Sequence, residues 1–132
     1  SGRLEKNGAV LTSTPGRVAY LQTEPVSGTY TGYNPLPDPT PWTFSVPGGV
    51  EVRADGQVGL LRVSVRPKES KLWVDYAVKA DQTSPEMATA LLVFGLKGNP
   101  TVELNGKALG KLATKQVEGN TAHVIPLADL PR

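Results

Sequence analysis

Enzyme chemistry needs a nucleophile, a proton carrier or a set of metal ligands, and this sequence is thinly supplied with all three. It holds one histidine, His123, and no cysteine, so thiol nucleophiles, thiolate metal sites and disulfides are ruled out and zinc ligands are scarce. His123 alternates with Ala122 and Val124, has no carboxylate beside it in sequence, and is accompanied by no Gly-x-Ser-x-Gly elbow. It reads as a structural or surface histidine. Glu51, Asp55, Glu69, Asp75, Asp81, Glu86 and Glu103 offer carboxylates for a glycosidase pair. Asp55 and Asp81 flank turns, however, and the set reads as solvated strand faces and turn formers. No Gly-x-Gly-x-x-Gly, Walker-type or EF-hand pattern occurs. The expectation is therefore no catalytic residue, no metal ligand and no cofactor. A calcium held by loop carbonyls and one aspartate would leave so little trace in sequence that it stays open.

The aromatic residues are the better handle, because flat rings stack on the apolar C–H faces of sugars while nearby polar groups bond their hydroxyls. Tyr30, Tyr33, Asn34 and Trp42 lie within or beside a proline-rich stretch. Trp73 alternates with Tyr76 in such a way that, with Tyr76 in the core, Trp73 faces outward from its sheet. These five residues are the candidate sugar-stacking site.

The elements that must position them are short, since twelve prolines and fourteen glycines interrupt the chain at close intervals and no stretch between them sustains a helical period. Strands fit this spacing. Leu61, Val63 and Val65 share one face of a segment whose other face carries Leu60, Arg62, Ser64 and Arg66, and Pro67 ends it. Leu72, Val74, Tyr76 and Val78 alternate in the same way with Trp73, Asp75, Ala77 and Lys79. Residues 88–96 are almost continuously apolar, and their β-branched and aromatic content together with Gly95 favours strand over a short buried helix. Asp55-Gly56, Asn105-Gly106 and Glu118-Gly119-Asn120 each read as hairpin turns. With a further strand over Arg17 to Gln22, the count reaches eight or nine short strands. The expected fold is all-β, an antiparallel two-sheet sandwich of jelly-roll or immunoglobulin-like type. Residues 23–41 carry five of the prolines and no usable alternation, so this stretch is expected to be a long ordered loop or crossing segment, the kind that often carries function.

At 132 residues, the chain is sized for one domain spanning 1–132. Its formal charge of +2 arises from fourteen basic and twelve acidic residues spread without a basic block, which argues against a nucleic-acid partner. No apolar run approaches a bilayer span, so no membrane insertion is expected. The opening Ser1-Gly2-Arg3-Leu4-Glu5-Lys6 lacks a signal-peptide core and reads as the start of an excised piece.

The stretch Val102-Glu103-Leu104-Asn105-Gly106-Lys107-Ala108-Leu109-Gly110, followed by Thr121 to Leu127, resembles the closing hairpins of β-sandwich accessory domains in bacterial polysaccharide lyases and glycoside hydrolases. The resemblance covers roughly the last quarter of the chain. It implies a non-catalytic, extracytoplasmic module, secreted, periplasmic or on the cell surface, that binds polysaccharide or supports an adjacent catalytic domain. The alternative is an immunoglobulin-like domain for protein interaction or adhesion, and the third reading is a small free-standing carbohydrate-active enzyme.

Overall fold

In the computed structural model, residues 2–13, 19–34, 42–79, 81 and 83–127 are described. Among them run thirteen strands, where the sequence reading counts eight or nine. These are β1 Gly2–Lys6, β2 Ala9–Ser13, β3 Tyr20–Glu24, β4 Thr29–Asn34, β5 Thr43–Val46, β6 Val50–Ala54, β7 Leu60–Arg66, β8 Lys71–Ala77, β9 Ala90–Phe94, β10 Thr101–Leu104, β11 Lys107–Ala108, β12 Ala113–Val117 and β13 Asn120–Pro126. The fold is all-β, as the alternation requires. Seven strands form one sheet in the order β1-β2-β5-β6-β9-β13-β12, and six form the other in the order β11-β10-β8-β7-β4-β3. All neighbours are antiparallel except β8 and β10, which run parallel.

The two inner faces share one apolar cluster. Leu11, Phe44, Val52, Leu91, Val93 and Ile125 enter it from the seven-stranded sheet. Leu61, Val63, Val65, Leu72, Val74 and Tyr76 enter from the six-stranded one. Each of these is at most 5% exposed, and each fully buried aliphatic side chain contributes about 1.5–3 kcal/mol. The alternation read for β7 and β8 is reproduced residue by residue: Leu61, Val63 and Val65 are buried, and Leu60 and Arg62 are exposed. Trp73 faces out between buried Leu72 and Val74.

Three expectations change. The dipeptide Asp55-Gly56 does not close a hairpin, because β6 and β7 belong to different sheets. It turns the chain from one layer to the other. The Asp55 carboxylate accepts the backbone N–H of Thr89 at 2.9 Å, the Thr89 hydroxyl at 3.0 Å and the N–H of Ala90 at 3.2 Å, so the crossing is tied to the start of β9. A Cβ on Gly56 would lie 2.5 Å from the carbonyl oxygen of Glu86, which is why glycine stands at this contact.

The second change concerns residues 23–41, of which 35–41 lie outside the described residues. Pro25 to Gly28 make a tight turn and Thr29–Asn34 is a central strand, hydrogen-bonded to β3 and β7. Its inward positions are Tyr30, Gly32 and Asn34. Gly32 leaves room for the Phe44 ring, which a Cβ would meet at 3.1 Å, and this substitution of space for a side chain hides the apolar period. Third, the strand expected over Arg17 to Gln22 is shifted to Tyr20–Glu24; Arg17 and Val18 lie outside the described residues.

The turns at Asn105-Gly106 and Glu118-Gly119 do close hairpins, with both central residues at positive φ. A third such turn, Asn7-Gly8, joins β1 to β2.

Candidate functional site

The outer face of the six-stranded sheet collects side chains that strand register sets in rows. Tyr20, Tyr33, Arg62 and Asp75 stand abreast on β3, β4, β7 and β8. In the next row stand Gln22, Thr31, Ser64, Trp73 and Glu103. Two residues is the period that returns a strand to the same face, so adjacent rows lie roughly 7 Å apart. Arg66 and Lys71 head a third row opposite Thr29.

Contacts within these rows hold the rings in fixed attitudes. Tyr20 and Tyr33 stack with centroids 4.6 Å apart and planes tilted by 30°. The Arg62 guanidinium lies 5.0 Å from the Tyr33 ring centre and donates to the Tyr20 hydroxyl at 3.0 Å. Arg66 lies 5.1 Å from the Trp73 ring centre and donates through Nε to the Thr29 hydroxyl at 2.8 Å. The Trp73 indole N–H donates to Glu103 at 3.1 Å, and the hydroxyls of Thr31 and Ser64 bond one another at 2.8 Å. Each guanidinium–ring contact is worth about 0.5–1 kcal/mol at an exposed site. The result is an outer face on which three aromatic rings stand among hydroxyls, amides and forked donors, Tyr20 and Tyr33 covering one another and the guanidiniums of Arg62 and Arg66 lying over Tyr33 and Trp73.

Where the third row meets the end of the sandwich, five turns enclose a half-open cleft of about 1010 Å³. Arg66 lines it and so joins it to this outer face. Its floor includes Tyr30 and Val50, and its charged rim includes Glu24, Lys68, Glu69 and Lys97. Glu24 accepts the Ser27 hydroxyl at 3.2 Å, and Glu69 sits 3.7 Å from Lys71 and 3.9 Å from Arg66. Both carboxylates are solvent-exposed, unlike the dry, shielded acids that proton transfer favours.

The five residues singled out from sequence part company. Tyr33 and Trp73 share the outer face of the six-stranded sheet. Tyr30 points inward, packs against the core and lines the cleft. Asn34 is fully buried. Trp42 is 0% exposed and packs against Phe44 at 6.1 Å, so it presents no ring face to a ligand and belongs to the core. Sequence reasoning missed Tyr20, Arg62 and Arg66. The signal for the arginines was present in the outward positions of β7, but the hydroxyls they bond, on Tyr20 and Thr29, lie 42 and 37 residues away in sequence. Only the register brings them in.

His123 lies half-buried on β13, paired with Val93 and Thr114. Among the described residues no group of three or more histidine, aspartate or glutamate side chains is arranged to hold a metal. No helix among them is long and apolar enough to cross a membrane. Compared with protein-family models, with curated proteins and with solved structures, the chain finds no match in any of the three.

The opposite outer face, on the seven-stranded sheet, has a different chemistry. Leu92 and Phe94 of β9 stand beside Val124 and Ala122 of β13, and Arg53, ion-paired with Glu51, covers Phe94 at 4.5 Å. On this face a short row of half-buried apolar side chains, Leu92, Phe94 and Val124, runs between the Arg53–Glu51 pair and Lys115, with Ala122 fully buried beneath it.

Proposed function

We propose that this domain is a non-catalytic, extracytoplasmic β-sandwich module that binds glycan on the outer face of its six-stranded sheet. One observation supports the reading above the others: Tyr20, Tyr33 and Trp73, which are distant in sequence, share one outer sheet face with Arg62, Arg66, Thr31 and Ser64. Rings supply the stacking surface for sugar C–H faces, and forked donors and hydroxyls bond sugar oxygens. The arginines lie across the rings in the free protein, so a sugar that stacks there displaces each guanidinium from its ring, at about 0.5–1 kcal/mol per pair, and replaces the bonds of Arg62 to Tyr20 and of Arg66 to Thr29 with bonds to sugar oxygens.

Affinity electrophoresis through gels containing a panel of neutral and acidic polysaccharides tests this. At least one polysaccharide is expected to retard the protein, and Trp73→Ala and Tyr33→Ala are each expected to weaken that retardation about tenfold, the equivalent of about 1.4 kcal/mol. If nothing in the panel retards the protein, or both variants migrate as the parent does, the reading is wrong.

A second reading gives the module a supporting role beside a carbohydrate-active catalytic domain or another protein. The strip of half-buried Leu92, Phe94 and Val124 favours it, because apolar side chains aligned on an outer sheet face gain from being covered. Light scattering of the domain mixed with its neighbouring polypeptide would show a complex that Leu92→Glu abolishes. Absence of any complex removes this reading and leaves the first untouched.

A further inference from the structure

Two Asn-Gly pairs occur in the described chain, Asn7-Gly8 and Asn105-Gly106, and each forms the paired positive-φ positions of a hairpin turn. In such a pair the glycine nitrogen is unhindered by a side chain and attacks the asparagine Cγ. A bond forms between that nitrogen and Cγ, the Cγ–Nδ2 bond breaks, and ammonia departs with the proton the backbone nitrogen gives up. The remaining five-membered succinimide then takes up water, which opens it at either carbonyl to aspartate or isoaspartate. Water is the sole co-reactant, and in an unfolded chain the two pairs have the same intrinsic chemistry.

The fold makes them unequal. Asn105 continues β10 past its end by using its side chain as a strand: Oδ1 accepts the N–H of Tyr76 at 2.8 Å and Nδ2 donates to the carbonyl of Tyr76 at 3.1 Å. Its own backbone N–H bonds the Val74 carbonyl at 2.8 Å. Both ends of the amide must leave the backbone of β8 before Cγ can be attacked. Among the described residues, the Asn7 amide makes one hydrogen bond, from Nδ2 to the Thr23 hydroxyl at 2.7 Å, in the open. Its strand, β1, is the outer edge of its sheet and is exposed from Arg3 to Lys6, which is where local opening costs least.

We propose that Asn7 is a site of self-modification in the folded protein, converting to aspartate and isoaspartate while Asn105 stays intact. The change goes beyond the glycan reading and does not depend on it. It lowers the formal charge from +2 to +1, puts a carboxylate on the wall of the cleft that Glu24 also lines, and removes the donor to Thr23 that ties β1 and β2 to β3. The isoaspartate product also adds a methylene to the backbone of a two-residue turn, loosening β1 from the sheet.

Incubating the intact chain in mildly alkaline buffer, with peptide mapping by mass spectrometry and enzymatic methyl labelling of isoaspartate, measures both sites at once. The same chain in denaturant gives the reference, in which both pairs react at comparable rates. In the folded protein Asn7 is expected to convert at least about tenfold faster than Asn105, since the second site must break two more backbone contacts. Thr23→Val is expected to accelerate Asn7 further and leave Asn105 unchanged. Equal rates at the two sites in the folded state would overturn the proposal. So would a folded Asn7 that survives while the denatured chain converts fully, or a Thr23→Val protein that reacts at Asn7 no faster than the parent.

Discussion

The two tryptophans show how one residue type serves two purposes according to the face it occupies. Trp42 fills the interior beside Phe44 with no exposed surface, and Trp42→Ala is expected to cost about 3–5 kcal/mol, the usual range for truncating a buried ring. Trp73 lies across its own sheet's outer face, braced by Arg66 and Glu103. Its truncation is expected to cost no more than about 1 kcal/mol, because the ring stands outside the core and leaves no enclosed cavity. Denaturant melts of the two variants read this difference directly, and equal losses would contradict the assignment of faces. The outward position of Trp73 was legible from its alternation with Leu72 and Val74, and the burial of Trp42 was legible in the same way, from the face it shares with Phe44 and Val46 across Thr43 and Ser45, though the proline-rich flank drew attention from it. Its burial is decided by Phe44 and by the sheet facing it. Asn105 carries a comparable double demand, a positive φ of 51° and two side-chain bonds to Tyr76. Asn105→Asp keeps the acceptor but sets a negative charge against the Tyr76 carbonyl, and a loss of about 1–3 kcal/mol is expected in the same melts.

At the level of elements, local signals specify that the chain turns but not which sheet the next strand joins. Asn105-Gly106 and Asp55-Gly56 look alike in sequence, yet the first closes a hairpin and the second crosses between layers. What separates them is Asp55's carboxylate, held by Thr89 and Ala90 some 34 residues onward, together with close approaches that admit no side chain. Asp55→Ala leaves two backbone N–H groups and a hydroxyl without that acceptor and is expected to destabilise the fold by about 2–3 kcal/mol. Hydrogen exchange should then report the first protection loss at Thr89 and Ala90, and unchanged exchange there would show that the carboxylate does not tie the crossing. Strand β4 was illegible for a related reason. Its inward residues are Tyr30, Gly32 and Asn34, so a strand that is central to its sheet carries no apolar period, and its Thr-Tyr content was the one local sign of extended structure.

Over the whole molecule, the two outer faces and the open edges divide the surface into regions of distinct chemistry. Among the described residues, strand β12 forms one free edge of the seven-stranded sheet, and Ala113 to Gln116 are all exposed. Lys115 at its centre opposes itself in any centred antiparallel pairing of two copies, the familiar protection of an edge by a charge. The protein is therefore expected to be monomeric along this edge, and Lys115→Val is expected to raise the scattering mass with concentration. A parent protein that already associates through β12 would contradict this. The remaining distinction is between the polar aromatic face and the apolar one. The alternation of the strands made both faces legible in outline, while the rows that assemble Tyr20, Tyr33, Arg62 and Trp73 follow only from register.

The two indole N–H groups allow the glycan reading to be tested without altering the protein. In a two-dimensional nitrogen–proton spectrum, each tryptophan gives one indole signal, one from the ligand-facing surface and one from the core. Titration with oligosaccharides of a retarding polysaccharide is expected to move the Trp73 signal and the amides of Thr31, Tyr33 and Ser64 while the Trp42 indole stays in place. A saccharide that perturbs Leu92, Phe94 and Val124 and leaves Trp73 still would contradict the account.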